Sequence, residues 1–248
     1  MFRGALTPKQ KHWWHVSLRV EADGLTTTVI PYEEKGFELL LDFTTHRLVI
    51  KTDGGKTQHI PLVNQSVATL GMKILVALGH EGIRPDIDNV IPDDTVPRHY
   101  DSKAAEQYWQ ALSRIDSVLK RFKFHLDSDT SPVQLWPHHF DLAMVWFTGR
   151  LVPGIDPKDE ESADEQMNFG FSTGDEVIPD PYFYIIAYPL PENFAITALP
   201  ADAYWHTRDW QGAVLPYEAL VKVNYPEEKL FDFLERIQAA GVRSMIKR

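Results

Sequence analysis

Two adjacent histidines and an aspartate, His138-His139-Phe140-Asp141, are the residues of this chain best suited to chemistry. Imidazole and carboxylate are the usual zinc ligands where thiolate is absent, and the chain contains no cysteine. Residues two apart on a strand share a face, so His139 and Asp141 would present their donors together. A third ligand would come from Glu165, Asp175, Glu176 or His206, and spacing does not select among them. The same pair would also serve as a general base and the carboxylate that orients it. A third reading needs no chemistry: a histidine hydrogen-bonded in a core beside a buried aspartate, since buried polar groups require partners. Adjacent His138 and His139 are expected on opposite faces of a regular strand, which counts against a metal held by both.

The element that must position them is the stretch Val133 to Arg150. From Phe140 to Phe147 only Asp141 is not apolar, a run too short to cross a membrane. Read as a strand, it places Phe140, Leu142, Met144 and Trp146 on one side, behind His138. Asp141, Ala143 and Val145 take the other side with His139. A strand apolar on both faces is usually central and covered twice. Met167 to Ser172 alternates in the same way, with Met167, Phe169 and Phe171 inward and Asn168, Gly170 and Ser172 opposite. The expectation is that both polar faces lie on one side of one sheet. Gly170 would leave room over the floor, and Tyr182 or Tyr184, from the aromatic strand Tyr182 to Tyr188, would supply a wall and a hydroxyl. The candidate ligand-binding residues are therefore Trp136, His138, His139, Asp141, Asn168, Ser172, Tyr182 and Tyr184, with His139 and Asp141 the candidate metal ligands.

The rest of the chain supplies the frame. Trp14 to Val20, Thr26 to Ile30, Phe37 to Phe43 and Arg47 to Thr52 alternate or are rich in β-branched residues, and short turns at Asp23-Gly24 and Thr44-Thr45-His46 separate them. Four such strands predict an antiparallel meander. Asn64 or Ser66 caps a helix carrying Val67, Leu70, Ile74, Leu75 and Leu78, which Gly79 and Gly82 stop. Asp101-Ser102 opens the clearest helix, with Ala105, Tyr108, Leu112, Ile115, Leu119 and Phe122 on one stripe. Pro226 and the acidic pair after it start a last helix, buried through Leu230, Phe233, Leu234 and Ile237 and ended by Gly241. The fold class is α+β, a single compact domain over 1–248 with two antiparallel strand-rich halves and three main helices. Similar motifs in the halves, His15-Val16-Ser17-Leu18 and His139-Phe140-Asp141-Leu142, suggest an internal duplication of 12–84 and 133–243, joined by a helix at 102–122.

Composition narrows the function classes. A net charge of -10 argues against nonspecific nucleic-acid binding, because phosphates demand a basic footprint. The absence of cysteine removes disulfides and thiolate chemistry and suits a reducing cytoplasm. No signal-peptide core or membrane-length run is present in the sequence. Gly54-Gly55-Lys56-Thr57 imitates the end of a phosphate loop, yet Ile50 stands where the first glycine belongs, and the segment reads as a hairpin.

Leu135-Trp136-Pro137-His138-His139-Phe140-Asp141-Leu142-Ala143, Met167-Asn168-Phe169-Gly170-Phe171-Ser172 and Pro181-Tyr182-Phe183-Tyr184 together carry a resemblance. With Trp14-His15-Val16-Ser17-Leu18-Arg19 and the Phe43-x-x-His46-x-Leu48 pattern, nearly the whole chain resembles a largely bacterial family of uncharacterised proteins, a domain of unknown function. The resemblance implies no activity, catalytic residue or cofactor. The residues themselves lead to a small-molecule pocket, catalytic or purely binding, with neither nucleic acid nor membrane as partner. The rival is a noncatalytic interaction or scaffold protein whose polar motifs satisfy a core.

Overall fold

The computed structural model describes residues 2–87, 91–192, 194 and 197–245. Among them the chain forms an α+β fold with two antiparallel sheets, of five and six strands, and three long helices. It divides into two compact units, Met1–Ser113 and Arg114–Arg248. The boundary falls inside the helix expected to join the strand-rich halves. No helix among the described residues is long and apolar enough to cross a membrane.

The first unit begins with a short helix, α1 (Phe2–Leu6), and continues through β1 (Arg19–Val20), β2 (Gly24–Tyr32), β3 (Lys35–Asp42), β4 (Arg47–Thr52) and β5 (Thr57–Pro61) to α2 (Val67–His80). Its sheet runs in sequence order, β1-β2-β3-β4-β5, as short turns dictate. At the β3–β4 turn, Asp42 Oδ1 accepts from the amides of Thr44 and Thr45 at 2.9 Å, a local bond that stabilises the reversal. Ser66 is the cap of α2, accepting from the Thr69 amide at 3.1 Å. Gly82 closes the helix at φ +70°, a conformation open to glycine. Ile30, Phe37, Leu48, Ile50, Ile74 and Leu78 gather into one buried cluster.

The second unit holds the C-terminal part of α3 (Ser102–Phe124), then β6 (Gln134–Trp136), β7 (Asp141–Leu151), β8 (Asp164–Ser172), β9 (Tyr182–Tyr188), β10 (Tyr204–His206), β11 (Gly212–Pro216), α4 (Glu218–Val221) and α5 (Pro226–Met245). The sheet order is β10-β11-β9-β8-β7-β6, so β7, β8 and β9 are interior. One face carries Leu142, Met144, Trp146, Met167, Phe169, Phe171, Phe183 and Ile185, all buried. Phe169 meets Phe122 of α3 with ring centroids 5.0 Å apart. Leu230, Phe233, Leu234 and Ile237 form the buried stripe of α5.

Several expectations are corrected. Trp14 to Val20 is not one strand: Lys11–Val16 is a 3-10 helix, and the strand covers only Arg19–Val20. The buried Arg3 guanidinium supplies the reason. It donates to the carbonyls of His15 at 2.6 Å and Trp14 at 3.4 Å, and also to that of Thr27. Backbone acceptors satisfied by a side chain are not available to a ladder. The central strand likewise starts later than alternation suggests, at Asp141, because Pro137 to Phe140 is a turn. Phe140 has φ +57° and is exposed. Strands β5, β10 and β11 are short and without clear alternation, so residue order does not announce them.

Gly241 does not end α5, which continues to Met245. A Cβ at Gly241 would lie 2.2 Å from Sδ of Met167, so the glycine lets the helix approach β8 closely. Helix propensity alone would favour replacing it by up to about 1 kcal/mol. The steric term is larger for a branched residue in a closed core. Gly241→Val is therefore expected to lose about 1–3 kcal/mol in urea unfolding, and the double variant Gly241→Val, Met167→Ala should recover part of that loss.

Candidate functional site

The other face of the second sheet carries the polar residues. The register sets Val145 opposite Asn168 and Asn168 opposite Ile186; Ala143 faces Gly170, which faces Tyr184; Ser172 faces Tyr182. Trp136 on β6 pairs with Asp141. Alternation on β7, β8 and β9 thus places Asp141, Asn168, Ser172, Tyr182 and Tyr184 on one side, while the residues between them fill the apolar core.

A cavity of about 530 Å³ opens over this face. His138, His139, Asp141, Asn168, Ser172, Tyr182 and Tyr184 line it, together with Gly174, Asp175, Ile186 and Trp210. The histidines do not reach it from opposite faces of a strand, as their adjacency suggested. Both stand in the turn before β7, with ring centroids 4.6 Å apart, and a turn does not impose strand alternation. The turn is closed by the Phe140 amide donating to the Trp136 carbonyl at 2.8 Å. Trp136 itself lies outside the lining and meets His138 edge-on, with centroids 5.9 Å apart.

Two tyrosine–aspartate pairs organise the lining. Tyr184 Oη donates to Asp141 Oδ2 at 2.5 Å, and Tyr182 Oη donates to Asp175 Oδ2 at 2.5 Å. Gly170 makes the first pair possible. A Cβ there would stand 2.2 Å from Tyr184 Cζ, so the phenol ring lies across the glycine on its way to Asp141. The room left by Gly170 is therefore occupied by a protein side chain, not left open as expected. Burial pushes the Tyr184 phenol well above its ordinary value, and the neighbouring Asp141 charge adds to this. Burial also raises Tyr182, reinforced by its bond to Asp175. Both phenols are held as donors.

Asp175 sits in the loop after β8. Burial alone would raise its carboxyl, but donation from Tyr182 and from the Ile178 and Val177 amides, with the charge of His206, holds it below the usual carboxylate value. Gly174 shapes this loop at φ +107°, where a Cβ would strike the Pro179 carbonyl at 2.2 Å. Trp210 forms a wall: its ring stacks on Tyr182 at 6.2 Å and 18°, and lies 4.4 Å from His206. His206 is buried, and its Nε2 has no hydrogen-bond partner among the described residues.

The metal reading required at least three of the named donors to meet at one point. Among the described residues no three His, Asp or Glu side chains form such a group. Glu165 is instead engaged by Thr148 and Arg150, at 2.7 Å each, and Glu176 is exposed. Nor does Asp141 orient His139, since its hydrogen bond is to Tyr184. Trp210 was missed by the sequence reading. A tryptophan between Asp209 and Gln211 was its only signal, an aromatic in a polar loop that needs a surface to cover.

The geometry makes two predictions. Gly170→Ala should push the Tyr184 ring away, break its bond to Asp141 and cost about 1–3 kcal/mol, measured by thermal unfolding. Tyr182→Phe should raise the Asp175 titration midpoint toward the ordinary value of about 3.9, read by carboxyl NMR. The sign follows from the depressed folded-state value: Asp175 contributes stability that is present above its unfolded value and lost as pH falls through its folded one. The variant should consequently show a shallower fall in melting temperature over that acid window.

Comparison with curated proteins and with solved structures yields no match. Comparison with family models matches residues 2–245 to a family of unknown function, and with that coverage the chain belongs to the DUF5996 family.

Proposed function

We propose that the protein binds a small molecule in the cavity over the polar face of its second sheet, with the His-His-x-Asp segment at the rim. The observation that carries this reading is the contrast between the two faces of β8. Met167, Phe169 and Phe171 are buried in the apolar core, whereas Asn168 and Ser172 line open space. The side-chain amide of Asn168 has no protein partner among the described residues, and the two imidazoles make ring contacts only. A few convergent polar groups beside aromatic walls are the usual make-up of a ligand site. A scaffold role would predict polar groups satisfied within the chain, which these are not. The imidazoles are also the groups of this lining suited to moving a proton.

The test separates site from structure. His139→Ala and Asn168→Ala should each change stability by no more than about 0.5 kcal/mol, while Phe169→Ala, a buried aromatic truncation, should lose about 3–5 kcal/mol. A thermal-shift screen of small amines, polyols and carboxylates should find a stabilising compound for the wild type, with the shift reduced in the His139 and Asn168 variants. Losses in those two variants equal to that of Phe169→Ala would mark the residues as structural and overturn the reading.

A further inference from the structure

We infer that the molecule held in this cavity is a small protonated amine, an inference that rests on the binding reading above. The charged side chains of the lining are Asp141 and Asp175, and neither lysine nor arginine contributes to it among the described residues. An anion would enter beside two carboxylates with no fixed cation to meet it.

The hydrogen bonds already made decide what a ligand would find. Both tyrosine hydroxyls spend their protons on carboxylates, so they offer the ligand no donor. Asp175 is engaged at both oxygens: Oδ1 accepts from Val177 at 2.7 Å and Ile178 at 2.8 Å, and Oδ2 accepts from Tyr182. Asp141 is not. Its Oδ2 takes the Tyr184 hydroxyl, and its Oδ1 accepts no hydrogen bond among the described residues. That open oxygen belongs to a carboxylate anchored by a phenol, on the same sheet face as the unpaired amide of Asn168. A carboxylate oxygen and an amide oxygen are acceptors that match the N–H groups of an ammonium.

The walls fit the same class. Tyr182, Tyr184 and Trp210 line the cavity as a connected aromatic group, with centroids 6.2 Å and 6.5 Å apart along the chain Tyr182–Trp210–Tyr184. Aromatic faces attract cations and also cover the hydrocarbon part of a ligand. A neutral polyol would use the acceptors without the charge, and would gain less from Asp141.

Three probes sharing one ring test the inference: benzylammonium, benzyl alcohol and benzoate, titrated by calorimetry and by tryptophan fluorescence into the full-length protein. Benzylammonium should bind more tightly than either of the others. Asp141→Asn, which keeps an acceptor for Tyr184 but removes the charge, should weaken benzylammonium at least about tenfold, the loss expected of a charge-assisted bond. Its circular dichroism and melting curve, recorded alongside, exclude unfolding as the cause. Stronger binding of benzyl alcohol or benzoate, lost in Asn168→Ala, would overturn the amine inference while leaving the pocket reading in place. Absence of benzylammonium binding would also overturn it. The melts of the His139 and Asn168 variants then report separately on whether the pocket reading stands.

Discussion

The site depends on a tyrosine ring laid across a glycine. Tyr184 and Gly170 are cross-strand partners on β9 and β8, and only a residue without a Cβ lets the phenol pass over the neighbouring strand. The hydroxyl then reaches Asp141, the first residue of β7. One side chain thus spans three strands and holds the carboxylate at the place where the His138-His139 turn ends. Cross-strand aromatic contacts over glycine are a recognised way to fix register, and here register decides which residues see the cavity.

Burial on the opposite face makes this arrangement affordable in free energy. A one-residue slip of β8 would turn Phe169 toward the cavity and Asn168 into the helices, exchanging apolar burial for an unsatisfied amide. The aromatic contact between Phe169 and Phe122, and the close approach of α5 at Gly241, oppose such a slip. Core packing and polar display are therefore consequences of one alternation. The residues between those of the cavity supply the apolar core of this sheet.

The second tyrosine pair works differently. Tyr182 binds Asp175 in a loop, not on a strand, and Trp210 stacks against it from another loop. These contacts convert two chain segments without regular structure into walls. Buried His206 packs against Trp210. The lining is consequently supplied by strands at its floor and built by side-chain contacts at its sides.

Much of this was legible from residue order alone. Period-two alternation over Leu142 to Trp146 and Met167 to Ser172 determined both strands and their polar and apolar sides, because side chains on a strand must alternate. Capping and stripe patterns located the three long helices for similarly local reasons. Local pattern failed where a distant group supplied the deciding bond. Arg3 captures the carbonyls of Trp14 and His15 and converts an alternating segment into a 3-10 turn. Gly241 reads as a helix stop until Met167 is seen to occupy the space beside it. Whether His138 and His139 diverge or face one cavity rested on a turn closed between Trp136 and Phe140. The pairing of Tyr184 with Asp141 and the placement of Trp210 depended on strand register and on loop packing. Sequence determined which faces are polar; only the tertiary structure decided which polar groups meet, because hydrogen bonds between distant segments leave no period in the chain.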